Sequence, residues 1–122
     1  MISFEEAGEL LDEISAELPQ EFYEKLNGGI LLIPDVKIHP EAKQKDLYTM
    51  GEYRSSYTLG RYIVIYYGSF EKLYRHLNKE ELKEELRKVL YHEFTHHVES
   101  LAGERGLEIK DKEKLNKYKT EK

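Results

Sequence analysis

The 122-residue chain has no cysteine, no tryptophan and only three prolines. Without thiols it can build neither a disulfide framework nor a Cys-ligated zinc finger or iron–sulfur cluster, and thiol catalysis is excluded with them. Any metal must be held by His and carboxylates. No apolar run approaches the length of a membrane span, and Met1-Ile2-Ser3-Phe4-Glu5-Glu6 is acidic where a signal peptide would be basic. A cytoplasmic protein with no membrane partner is expected. Basic charge is also scarce: 19 Lys and Arg stand against 24 Asp and Glu, for a formal net charge of -5, with no dense Arg cluster. No nucleic-acid partner is expected on that balance.

What remains is enough for one small domain over residues 1–122, since a chain of this length buries roughly two-thirds of the surface its unfolded form exposes. Ile2, Phe4, Ala7, Leu10, Leu11, Ile14 and Leu18 recur at three-and-four spacing behind a Ser3/Glu6 capping box, which predicts an amphipathic helix from Phe4 to Glu17. Its other face carries Glu5, Glu9, Asp12, Glu13 and Glu17, a solvated face or an electrostatic docking surface. Pro19 opens a short helix, Gln20 to Leu26, that Asn27-Gly28-Gly29 ends with left-handed backbone. A strand follows over Ile30 to Ile33, resuming at Val36 to Ile38, with Pro34 marking a sheet edge or bulge.

Leu47 to Tyr53 reads as a second strand with Arg54-Ser55-Ser56 as its turn, and Tyr57 to Tyr67 as a buried third. Gly68-Ser69 caps a short helix from Phe70 to Leu77. Asn78, with Glu81 three residues on, starts the longest helix, Lys79 to about Leu101, which Gly103 is placed to end. From Glu104 to Lys122 seven basic and five acidic residues make a loosely packed tail. The fold class is α+β: a short mixed or antiparallel sheet packed on the long helix, with the N-terminal helix beside it.

That long helix contains His92-Glu93-Phe94-Thr95-His96, the H-E-x-x-H pattern in which two His grip zinc and the Glu serves as general base. Positions four apart differ by roughly 40° around a helix and about 6 Å along it, so both imidazoles can reach one ion without bending the backbone. Leu82, Leu86, Leu90, Phe94 and Leu101 mark the core-facing stripe, and His92 and His96 fall at its edge beside Val89, partly shielded from water. Glu93 points to the apolar side, where desolvation raises a carboxyl toward the range of a useful base. His97 falls inside the stripe and reads as a buried side chain bonded to a backbone carbonyl or as a carboxylate-bonded support for the metal ligands. His39, before a proline, and His76 read as surface residues.

A catalytic zinc takes three protein ligands and keeps one position for water. Glu99 lies seven residues after His92 but must lean fully back toward the N-terminus to reach the metal; Glu104 follows the expected Gly103 turn; Glu108 and Asp111 lie further along. The residues leave Glu99 and Glu104 level, with Asp111 behind.

The motif, together with Leu59-Gly60-Arg61-Tyr62, Ile65-Tyr66-Tyr67-Gly68, Phe70-Glu71 and the doubled His96-His97, resembles the small bacterial zincin-like metallopeptidases, or minimal metalloproteases, over about the second half of the chain. The resemblance implies a zinc-dependent peptidase with His92 and His96 as ligands, Glu93 as base, and a peptide or protein substrate. Family members often carry Gly three residues after the second His and Asp three beyond it; here Glu99 and Ala102 stand there, so the resemblance assigns no third ligand. A metalloendopeptidase is therefore the leading expectation, with one catalytic Zn²⁺ and an oxyanion-stabilising Tyr among Tyr62, Tyr66 and Tyr67. The Ile30 to Ile38 segment is a candidate edge for a substrate strand. The alternative is a non-catalytic metal-binding scaffold that docks a partner, with a metal-dependent nuclease behind it.

Overall fold

The computed structural model describes residues 1–43 and 47–105, apart from the side chains of Glu104 and Arg105. The expected tail therefore lies outside the described residues, except that the backbone is helical to Arg105. Among them the chain forms helix α1 (Phe4–Ser15), a 3₁₀ turn (Gln20–Tyr23), strands β1 (Gly29–Ile33), β2 (Gly51–Ser56) and β3 (Gly60–Tyr66), and helices α2 (Tyr67–Tyr74) and α3 (Lys79–Arg105). The sheet order is β1-β3-β2, with β3 parallel to β1 and antiparallel to β2. It is a mixed sheet in a small α+β fold.

Local chemistry explains the starts of the helices. Ser3 accepts from the Glu6 N–H while the Glu6 carboxylate accepts from the Ser3 N–H, and Asn78 and Glu81 repeat that reciprocal cap at α3. Ala7, Leu10, Leu11 and Ile14 then turn one face of α1 into the core, where they meet Leu82, Leu86, Leu90 and Phe94 of α3. From the sheet, alternation sends Ile63 and Ile65 of β3 to the same core, each fully buried.

Several boundaries differ from those the sequence predicts. The second helix shrinks to its 3₁₀ turn, and left-handed backbone appears at Lys25 and Gly29. The expected second strand shifts toward the C-terminus: Arg54, Ser55 and Ser56 belong to β2, and the turn is made by Tyr57 to Leu59, with Gly60 at the start of β3 supplying the positive φ of 73°. Of the 36–38 stretch, Ile38 forms only an isolated bridge with Tyr48. Helix α2 starts at Tyr67, without a side-chain cap from Gly68-Ser69. Helix α3 runs through Gly103 rather than ending there, because a glycine inside a regular helix costs only about 1 kcal/mol and, among the described residues, none crowds Gly103.

Polar ties join α3 to α1 and the residues just after it: Lys83 Nζ donates to Glu13 at 2.7 Å, and a larger cluster gathers on Glu17. The buried Arg87 guanidinium donates from Nε and Nη2 to Glu17 at 2.8 and 2.6 Å and from Nη1 to Glu84, and the Tyr91 hydroxyl donates to Glu17 at 3.0 Å. Beside that carboxylate and within the core, the Tyr91 phenol is pushed up to about 12, burial being the larger cause. Arg87→Ala takes the guanidinium away from Glu17, and because Glu17 is itself part-exposed the expected loss is about 2 kcal/mol rather than the full buried-pair penalty. Urea unfolding at neutral pH checks this, and Arg87→Lys should recover only part because it cannot pair bidentately.

Candidate metal centre

The core stripe fixes the rotation of α3, and with it what the flanking positions face. Leu82, Leu86, Leu90, Phe94, Val98 and Leu101 are buried, which turns Val89, Glu93 and the His92/His96 edge toward β2. The strand comes close there because residue 51 is glycine: a Cβ on Gly51 would stand 2.8 Å from Val89 Cγ1. Between helix and strand lies an open cleft of about 1290 Å³ whose walls include His92, Glu93, His96, Gly51 and Tyr53.

His92 and His96 turn their Nε2 atoms toward each other at 3.1 Å, with the rings perpendicular. At that separation one ring can donate Nε2–H to the other, or both lone pairs can face one cation when each proton sits on Nδ1. Two nitrogens on a tetrahedral zinc stand roughly 3.3 Å apart, so the pair needs almost no movement to fit one. Both rings are solvent-exposed, which corrects the expectation of a partly shielded pair. Glu93, between them in sequence, is buried, and desolvation pushes its carboxyl up; Glu52 adds to the rise, while a charge on His96 and the Tyr53 backbone N–H oppose it.

The third ligand is not assembled: among the described residues no group of three His, Asp or Glu comes together. Glu99 stands 3.9 Å from Nδ1 of His96, on the opposite side of the ring from the converging Nε2 atoms. That position suits a carboxylate that orients the imidazole better than a ligand. The Gly103 turn that was to swing Glu104 back does not form; the continuing helix carries its backbone about 12 Å along the axis beyond His96. The Glu104 side chain, Glu108 and Asp111 lie outside the described residues.

His97 is fully buried, and both ring nitrogens are engaged. Nε2 donates to the Glu24 carbonyl at 2.8 Å, leaving Nδ1 to accept from the Tyr53 hydroxyl at 2.8 Å. It therefore joins α3 to β2 and to the Glu24–Lys25 bend, and it makes no described contact with the two facing imidazoles.

A family model for zincin-like metallopeptidases matches residues 36–115, a span that includes both cleft walls. The chain belongs to the zincin-like metallopeptidase family. A solved structure described as a conserved hypothetical protein from Thermo thermophilus is similar to this zincin-like chain, with 30% identity and a TM-score of 0.71 over 84% of this chain and 99% of the other. No curated protein matches.

Sequence reading missed several residues of this zincin-like cleft. His39, read as a surface residue, lines it together with Lys37. Glu52 lines it too, gripping Lys37 at 2.6 Å and accepting from the Tyr66 hydroxyl. Alternation along a two-residue ladder, in which His39 N–H donates to Leu47 O and Thr49 N–H to Lys37 O, would have put Lys37 and His39 on one side, but no sequence signal says which. None of the three Tyr considered for the oxyanion lines the cleft: Tyr66 donates to Glu52 and Tyr67 to the Ile2 carbonyl. The edge beside the helix is β2, not the 30–38 segment. Since Tyr66 N–H donates to Met50 O, strand alternation leaves the N–H and C=O of Gly51, Tyr53 and Ser55 directed away from β3.

Burial holds His97 neutral, lowering its proton affinity below the ordinary value of 6.5. The unfolded chain then binds more protons as pH falls through 6.5, so this contribution to stability is present above 6.5 and is lost on acidification toward the folded value. Urea midpoints measured from about pH 7.5 to 5.5 should fall, and less so for His97→Gln. At neutral pH His97→Ala should cost about 3 kcal/mol, by leaving two buried partners unsatisfied and a cavity behind.

Proposed function

We propose that this protein is a zinc-dependent hydrolase that cleaves peptide bonds. The observation that carries the reading is the convergence of the His92 and His96 Nε2 atoms at 3.1 Å with the buried Glu93 carboxyl beside them. Two imidazoles one helical turn apart are donors suited to zinc. When bound, the ion supplies a Lewis acid that acidifies water and polarises a carbonyl. Glu93 accepts the proton of the attacking water and returns it to the departing amine, a role its raised proton affinity serves.

The cleft supports a peptide as the substrate. It exceeds the roughly 300–1,000 Å³ of small-molecule pockets, and the outward backbone groups of Gly51 and Ser55, with the Tyr53 C=O between them, offer an extended peptide a strand to pair with, the Tyr53 N–H being given to Glu93. Incubation of the zinc-loaded protein with a mixed peptide library, read by mass spectrometry, should yield internal cleavages that a chelator abolishes and zinc restores. The two-His geometry without a described third ligand favours one competing reading, a metal-binding scaffold without catalysis. A zinc-replete protein that cleaves nothing in the library would select it.

A further inference from the structure

Resting on the hydrolase reading, we infer that His39 is a catalytic residue: its Nε2–H donates to the substrate carbonyl oxygen as that oxygen becomes a tetrahedral oxyanion. His39 lines the same cleft as His92, Glu93 and His96, on the 37–39 segment. Two observations make it a fixed donor. Its Nδ1 accepts the Glu41 backbone N–H at 3.1 Å, which forces the proton of the neutral ring onto Nε2. Its backbone is pinned as well, through N–H to Leu47 O at 2.7 Å and O to the Ala42 N–H at 3.0 Å, and the following Pro40 favours the extended conformation that the short ladder requires.

The other strong side-chain donors of the cleft are committed elsewhere. Lys37 Nζ is held by Glu52 at 2.6 Å, the Tyr53 hydroxyl is given to His97, and Lys88, on the cleft's α3 wall, pairs with Glu85 at 3.2 Å. Among the described residues Nε2 of His39 has no partner, so it can meet a ligand without breaking an existing bond. In the step itself the water oxygen bonds to the carbonyl carbon, its proton passes to Glu93, and the carbonyl π electrons move onto the oxygen that His39 contacts. His39 keeps its proton and lowers the barrier by charge–dipole stabilisation in a place set before the reaction begins.

Two probes separate this role from a merely structural one: the phosphinate isostere of trialanine, which carries a tetrahedral oxyanion, and an alanyl hydroxamate, which grips the metal in a planar arrangement. With zinc-loaded protein, His39→Ala should weaken the phosphinate about a hundredfold and leave hydroxamate and zinc affinities unchanged. His39→Gln, which keeps an N–H donor, should recover part of the loss. Wild-type phosphinate affinity in His39→Ala, or an equal fall for both probes, overturns the assignment and leaves the hydrolase reading standing. Failure of the zinc-loaded wild type to bind either probe overturns both.

Discussion

His96→Ala should lower zinc affinity by about a thousandfold or more, and His92→Ala should do the same, while both variants are expected to keep the fold. The two effects separate because both imidazoles are solvent-exposed and outside the packed stripe, so removing either leaves no core cavity. What disappears is one of two nitrogens held 3.1 Å apart by a single helical turn, and a lone exposed imidazole on a helix binds zinc only weakly. Equilibrium dialysis against a zinc buffer gives the affinity, and circular dichroism confirms the fold. By contrast Glu99→Gln, which acts on the Nδ1 side of His96, should cost only about ten- to a hundredfold, the scale of a group that orients a ligand.

The second large effect is kinetic. Glu93→Gln should keep zinc and lose about 10²–10⁴-fold in kcat on any library peptide the wild type cleaves, because the amide cannot accept the water proton. Its stability should move the other way. The Glu93 carboxyl is pushed up by burial, so the folded state binds its proton more tightly than the unfolded chain, and ionisation above the ordinary value of 4.5 costs stability. The metal-stripped Glu93→Gln protein should be more stable than wild type by about 1 kcal/mol near pH 7, with the difference closing as pH falls below 4.5. A stable, zinc-binding, inactive variant separates chemistry from folding.

Where local chemistry decides the structure, the sequence was sufficient. The Ser3/Glu6 and Asn78/Glu81 caps form as written, the β-branched run at Ile63-Val64-Ile65 occupies the central strand, and the leucine stripe of α3 predicts the burial of Glu93 and His97, though not the exposure of the His92/His96 pair at its edge. Where tertiary contact decides, it was not. Gly51 falls inside the expected 47–53 strand and inside β2, but only the close approach of Val89 of α3, which leaves no room for a side chain, says why that strand position is glycine. Gly103 carries a helix-ending signal that the continuing α3 overrides. His39 and Glu52 enter the cleft through strand pairing with distant residues, which no periodicity in their own segments announces.

X-ray absorption at the zinc edge, on protein loaded with one equivalent, tests the paired-imidazole centre most directly. Two imidazole scatterers are expected in a first shell of nitrogen and oxygen at about 2.0–2.1 Å, falling to one in His96→Ala supplied with excess zinc. A spectrum with the same imidazole count in wild type and variant, or a wild type that retains no zinc, would contradict it.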